Sequence, residues 1–111
     1  VGAFLHNASN RGAAWVFSRD QGGEENWAEV KKLVASDAYI EDQFGFAVAI
    51  DDDTIVVGAF RDGNTSDSGS AYVFDYDGTG WVQSAKLLAA DGKTMDSFGR
   101  AVSLSGDRVV V

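Results

Sequence analysis

The middle of the chain carries two short apolar runs separated by three aspartates. Phe44–Ile50 and Thr54–Phe60 flank Asp51–Asp53, and neither run alternates polar with apolar residues. A strand that is covered on both faces has no polar face and forms such a run. Helices are disfavoured because the runs are short, rich in β-branched residues and interrupted by glycine. The pattern predicts two buried strands joined by a hairpin whose acidic tip lies in water.

Two further segments continue this pattern toward the carboxyl end. Ser70–Asp77 and Trp81–Ala89 are bounded by turn-forming Gly, Asp, Asn and Ser residues, which indicates two more strands. The connections are too short for crossover helices and suit antiparallel neighbours. We therefore predict one four-stranded antiparallel sheet from Phe44 to Ala89. The same interpretation predicts a strand within Glu24–Ala35.

The sequence repeats itself. Trp27–Asp37 aligns with Trp81–Asp91, and Asp42–Ile50 aligns with Asp96–Leu104, both at an offset of 54 residues. A repeat of this length is typical of a solenoid, propeller or array, and four strands per repeat favour a propeller blade. We predict an all-β fold in which blades of four antiparallel strands make up about two repeats of a larger or oligomeric β-propeller.

The repeat boundaries are predicted at about 1–56 and 57–111. Val1, Val57 and Val111 align with one another, so the sequence starts and stops in the same strand of the repeat. We therefore expect the sequence to be a segment of a longer array. Because propellers close with roughly four to eight blades, closure requires further blades of the same chain or self-association into a ring.

Composition narrows the classes of function. Nine basic and seventeen acidic residues give a net charge of −8, which argues against a nucleic-acid partner. No apolar run approaches the roughly 18 residues that span a bilayer, so we expect no membrane insertion within this segment. The absence of cysteine excludes disulfides and Cys-ligated zinc. His6 is the only histidine, and no acid and nucleophile recur beside it as a triad requires. We predict that the segment is not an enzyme.

Two dipeptides mark each repeat, and they carry a resemblance to a known family. Phe-Gly begins the first predicted strand and Gly-Ala lies near the end of the second, and the residues of this signature are Phe44, Gly45, Gly58, Ala59, Phe98 and Gly99. The sequence resembles the FG-GAP repeat family, which forms the blades of the integrin α-subunit β-propeller. Phe60 stands where the family has proline. The resemblance implies an extracellular or cell-surface propeller.

The resemblance also implies a function. We expect a non-catalytic binding or scaffold module of adhesion type, which presents loops to protein or glycan ligands. The alternatives are a lectin-like carbohydrate-binding propeller and an accessory propeller of a larger extracellular enzyme. Trp27 and Trp81 recur at one repeat position. Their surroundings distinguish the adhesion-type scaffold from the lectin-like propeller. A scaffold buries them between blades, whereas a lectin exposes them at a loop mouth.

The integrin blades carry a calcium loop that is reduced here to the short hairpin Asp51–Thr54, so that site is not carried over. A different loop offers several oxygen ligands that suit Ca²⁺, namely Asp62, Asn64, Ser66 and Asp67. The alternative is a polar turn held by side-chain hydrogen bonds, because the matching loop of the first repeat lacks both charges. Calcium is therefore the one cofactor that the sequence suggests.

Two other sets of polar residues recur. Asn7 and Asn64 begin glycosylation sequons in matching loops of the two repeats. Asp37 and Asp42 recur as Asp91 and Asp96 at equal spacing. A position that recurs in every repeat favours a role that every blade needs, and we expect these aspartates to close the turn between blades.

Overall fold

The computed structural model describes residues 1–5, 11–19, 23–62 and 68–111, and these residues form strands and connections. The strands are β1 (Gly2–Ala3), β2 (Ala13–Arg19), β3 (Trp27–Leu33), β4 (Ala47–Asp51), β5 (Thr54–Ala59), β6 (Ser70–Tyr76), β7 (Trp81–Leu87), β8 (Ser103–Ser105) and β9 (Arg108–Val110). Within the described ranges, no helix is long and apolar enough to cross a membrane.

The strands form three antiparallel sheets in chain order. The first sheet has the order β1-β2-β3, the second β4-β5-β6-β7 and the third β8-β9. The second sheet is the four-stranded antiparallel unit predicted from Phe44 to Ala89, and the all-β prediction is confirmed. The first sheet contains the equivalents of the last three strands of this unit, and the third contains the equivalents of its first two.

The start of the first strand of the blade differs from the prediction. The apolar run begins at Phe44, but β4 begins only at Ala47. Gly45 has a φ of 90°, and the N–H groups of both Gly45 and Phe46 donate to the carbonyl oxygen of Gly58, at 3.0 and 3.2 Å. The chain therefore turns sharply at the Phe-Gly dipeptide before it enters the sheet.

The acidic hairpin forms as predicted. Asp51 pairs with Thr54 across a two-residue turn in which Asp52 has a φ of 46°. The side chains of Asp52 and Asp53 are exposed. The side chain of Asp51 makes a hydrogen bond, in which its Oδ2 accepts the N–H of Gly106 at 2.7 Å. This bond joins the hairpin tip of the second sheet to that of the third.

The core lies on both faces of β5. Ile55, Val57 and Ala59 share one face of the strand, which packs against apolar residues of the first sheet, Ala14, Val16 and Leu33. Val56 points to the opposite face, toward the third sheet, and is fully buried. The prediction of a strand that is covered on both faces is confirmed for β5. It is wrong for β4, in which Val48 and Ile50 are 41% and 61% exposed.

A pair of substitutions tests this two-sided burial. Val56 is 0% exposed, whereas Val110, at the same repeat position in β9, is 70% exposed. We expect Val56→Thr to lower the free energy of unfolding by about 1–3 kcal/mol, because it buries a hydroxyl in an apolar site. Val110→Thr should change it by less than about 0.5 kcal/mol. Urea denaturation measures both, and equal effects would show that β5 has a solvent-facing side.

Candidate functional site

Glycines of the repeat signature meet where neighbouring sheets pack. A Cβ on Gly58 would overlap the carbonyl oxygen of Gly99, and a Cβ on Gly2 would overlap that of Gly45. Only glycine allows two backbones to approach so closely. The two contacts are equivalent in the two repeats, and we call these four residues the glycine seam.

The phenylalanines of the signature extend this contact. The N–H of Phe44 donates to the carbonyl oxygen of Arg11 at 3.1 Å, and that of Phe98 donates to Ser68 at 2.9 Å. Phe44 is fully buried, and its ring meets that of Tyr72 edge to face with centroids 5.4 Å apart. Each Phe-Gly dipeptide is therefore hydrogen bonded to the preceding sheet, which accounts for its place in every repeat.

A charged cluster reinforces the junction of the first and second sheets. The Nζ of Lys86 lies 2.6 Å from Oδ2 of both Asp37 and Asp62. The Tyr72 hydroxyl lies 2.8 Å from Oδ1 of Asp37 and 2.9 Å from Oδ2 of Asp62, and the Ser70 hydroxyl also donates to Asp62. We call these five residues the acid–lysine cluster. Asp37 follows the first sheet and the other four belong to the second, so the cluster joins neighbouring sheets.

The pKa values of the cluster follow from its contacts. Burial raises the pKa of Asp37, but hydrogen bonds from Lys86 and Tyr72 outweigh it and hold that pKa below its usual value. Burial lowers the pKa of Lys86, but bonds to the two carboxylates outweigh it and raise that pKa. Burial, together with hydrogen bonding to Asp37, raises the pKa of Tyr72 far above its usual value. The cluster is therefore a salt bridge with a neutral tyrosine as donor.

Asp42 closes the turn between the first and second sheets. It is only 2% exposed, and its Oδ2 accepts the N–H of Tyr39 at 2.5 Å. Asp96 accepts the N–H of Lys93 in the same way at 2.6 Å in the next connection. The predicted turn-closing role is therefore confirmed for Asp42 and Asp96, whereas Asp37 binds Lys86 and Tyr72 instead, and the role of Asp91 stays a prediction. Burial raises the pKa of Asp42, and the charge of nearby Asp62 adds to the increase.

The two repeated tryptophans lie in different surroundings. Trp81 is half-buried, packs against the core and meets the Tyr76 ring at a tilt, with ring centroids 5.6 Å apart. Trp27 is 61% exposed, and the guanidinium of Arg19 lies 5.2 Å from its ring centroid. Packing therefore accounts for Trp81, whereas Trp27 presents its ring to solvent and to a cation.

The order of the sheets and the glycine seam agree with a comparison of the sequence with known families. The FG-GAP repeat model matches residues 27–74 and 81–111. The chain belongs to the FG-GAP repeat family. Neither the curated proteins nor the solved structures give a match. In this FG-GAP chain the two signature dipeptides are the two sides of one contact, since each Phe-Gly packs on the Gly-Ala of the preceding sheet.

The calcium prediction falls partly on this cluster. The Lys86 ammonium and two hydroxyls already engage the Oδ2 atom of Asp62, so a dication there would have to displace an internal cation. In the part of the chain that the structure describes, no three His, Cys, Asp or Glu residues form a metal-binding group. The other predicted ligands and sequon residues lie outside the described ranges and stay predictions: Asn7, Asn64, Ser66 and Asp67.

The acid–lysine cluster is the feature that sequence reasoning missed. The sequence pattern places Tyr72 and Lys86 in two predicted strands and assigns no further role to either. A signal was present, because several positions that are polar in the second repeat are apolar in the first. The apolar counterparts of Asp62, Ser70 and Tyr72 are Leu5, Ala13 and Trp15.

Substitution of one glycine tests the seam. We expect Gly58→Ala to lower the free energy of unfolding by at least about 2–3 kcal/mol, because its Cβ meets backbone that cannot move aside cheaply. Gly80→Ala is the matched control, since no heavy atom lies within 4 Å of a Cβ at that position. Thermal unfolding followed by circular dichroism measures both. If Gly58→Ala were as stable as Gly80→Ala, the close backbone contact between Gly58 and Gly99 would be contradicted.

The raised pKa of Asp42 predicts a pH dependence. A carboxyl group whose folded pKa is raised contributes stability below its ordinary pKa of 3.8, and that contribution is lost as pH rises through the folded value. Asp42→Asn keeps an acceptor for Tyr39 but removes the charge. The variant should therefore become more stable relative to the original chain as the pH rises from 3 to 7.

Denaturant titrations at several pH values measure this difference. Asp96→Asn places the same amide in the equivalent, exposed turn and measures the effect of the substitution without burial. A shift toward the original chain as pH rises would contradict the assignment of Asp42 as a carboxyl that is costly to ionise.

Proposed function

We propose that the chain is a non-catalytic scaffold and binding module, a set of blades in an integrin-like extracellular β-propeller that presents loops to protein or glycan ligands. The observation that carries the proposal is the glycine seam, which fixes consecutive sheets face to face. Sheets held in this way use their faces for packing and leave hairpin tips and connections for binding, as scaffolds commonly do.

The buried polar groups support a structural role. In the described part of the chain, every buried side-chain nitrogen or oxygen has a hydrogen-bond partner. The strongest concentration of ionisable groups, the acid–lysine cluster, is internally paired across two sheets. Groups engaged in this way stabilise the junction and are not poised to attack or protonate a substrate.

The family supports the proposed location outside the cell. FG-GAP repeats occur in extracellular proteins generally, and the match covers most of the chain. The adhesion-type function and the integrin-like assembly are extensions of that match. One observation also favours the lectin-like alternative, namely the cleft beside Trp81 that is described in the next subsection.

A solid-phase assay tests the proposal. The immobilised chain is exposed to a panel of purified extracellular-matrix proteins, a panel of printed glycans and a set of chromogenic ester and glycoside substrates. We expect saturable binding to at least one protein or glycan and no turnover of the substrates.

The Gly58→Ala variant serves as the control, because a binding surface that depends on the packed sheets should be lost with them. Absence of binding to both panels, or turnover of any substrate by the original chain, would contradict the proposed function.

A further inference from the structure

A cleft of ≈ 680 Å³ lies between the first and second sheets, on the side of the hairpin tips. Its size is within the range of small-ligand sites. We call it the aromatic cleft, and the lining residues that matter here are Ser18, Lys31, Asp52, Asp53, Tyr76 and Trp81.

One wall of the cleft is a pair of aromatic rings. Tyr76 and Trp81 lie with centroids 5.6 Å apart and planes inclined by 53°, and Tyr76 is 41% exposed. Such rings offer flat apolar faces that carry a polar group at the edge. They suit a ligand that has both a C–H face and hydroxyl groups.

The aromatic wall is held in place by its own hairpins. The N–H of Tyr76 donates to the carbonyl oxygen of Asp53 at 2.9 Å. Beside Trp81, Oδ1 of Asp77 accepts hydrogen bonds from Thr79 and Gly80 at 2.7–2.9 Å, which closes the turn. A wall that is fixed before binding loses little entropy when a ligand arrives.

The polar groups of the cleft carry both signs of charge. Asp52 and Asp53 offer acceptors from the second sheet, and Lys31 offers a donor from the first. Among the described residues, no hydrogen bond or ion pair engages these three side chains. Hydroxyl groups both donate and accept hydrogen bonds, so they can bond all three side chains. The set therefore favours a neutral ligand that carries both donors and acceptors.

We infer that the aromatic cleft binds a carbohydrate, a neutral mono- or disaccharide unit that stacks on Trp81 and Tyr76 while its hydroxyls bond Asp52, Asp53 and Lys31. The inference deepens the proposed function and rests on it, because it takes the chain to bind its ligand without transforming it.

Trp27 provides a matched control within the same molecule. It occupies the same repeat position as Trp81 and lines a different cleft of ≈ 610 Å³. The other described residues around that cleft are all apolar. A saccharide would find rings there but no carboxylate among the described lining residues to accept its hydroxyl hydrogens, so Trp27 should not contribute to binding.

The experiment titrates the full chain with N-acetylglucosamine, glucose, galactose and mannose and with chitobiose, cellobiose and lactose. Tryptophan fluorescence and saturation-transfer NMR report binding. We expect at least one saccharide to bind with a Kd of about 1–10 mM, as suits a small open site. Trp81→Ala should weaken it by about tenfold or more, whereas Trp27→Ala should leave it within about twofold.

Asp53→Asn is the second variant, because it alters an exposed side chain and keeps the backbone carbonyl that holds Tyr76. It should weaken binding by about threefold to tenfold without unfolding the chain, and it decides the result if Trp81→Ala is unstable. Binding that Asp53→Asn leaves unchanged, or that Trp27→Ala abolishes, would overturn the assignment of the cleft.

The failures of the two proposals are distinguishable. If no saccharide binds at about 50 mM while a matrix protein still binds the immobilised chain, the carbohydrate inference is overturned and the binding module stands. If neither saccharides nor proteins bind, both proposals are overturned.

Discussion

The close approach of two backbones at the glycine seam is the constraint on which the rest of the structure depends. Because neither Gly58 nor Gly99 carries a side chain, the second and third sheets can come together at that point. The same contact between Gly2 and Gly45 brings the first sheet onto the second. Both faces of β5 are then covered, and its unbroken apolar sequence has no face exposed to water.

Electrostatics then distinguishes one repeat from the other. The junction of the first and second sheets holds a lysine between two carboxylates, with a tyrosine hydroxyl bonded to both. Apolar residues replace much of this set in the first repeat. Asp62, for example, corresponds to Leu5 and Tyr72 to Trp15. The seam is thus a general device of the repeat, whereas the acid–lysine cluster is particular to one blade.

Local patterns predicted most of the fold, since hairpins and covered strands leave direct marks in the sequence. The four strands between Phe44 and Ala89 and the acidic turn were predictable for this reason. The sharp turn at Gly45 was not, because the hydrogen bonds to Gly58 that delay β4 join residues on two different strands. Lys86 was missed for the same reason, since its partner Asp37 lies one repeat away. Trp27 and Trp81 show most clearly what the sequence alone does not predict. They are identical residues at one repeat position, but different sheets surround them.

The most direct test of the account is a nuclear Overhauser spectrum of the isotope-labelled chain. A Cβ placed on Gly58 would lie 3.3 Å from the Cα of Gly99, and a Cβ placed on Gly2 would lie 3.3 Å from the Cα of Gly45. The account therefore predicts strong Hα–Hα cross-peaks for both glycine pairs, although the partners are more than forty residues apart in sequence. Absence of these cross-peaks in a folded chain would contradict the packing of sheet on sheet through the seam.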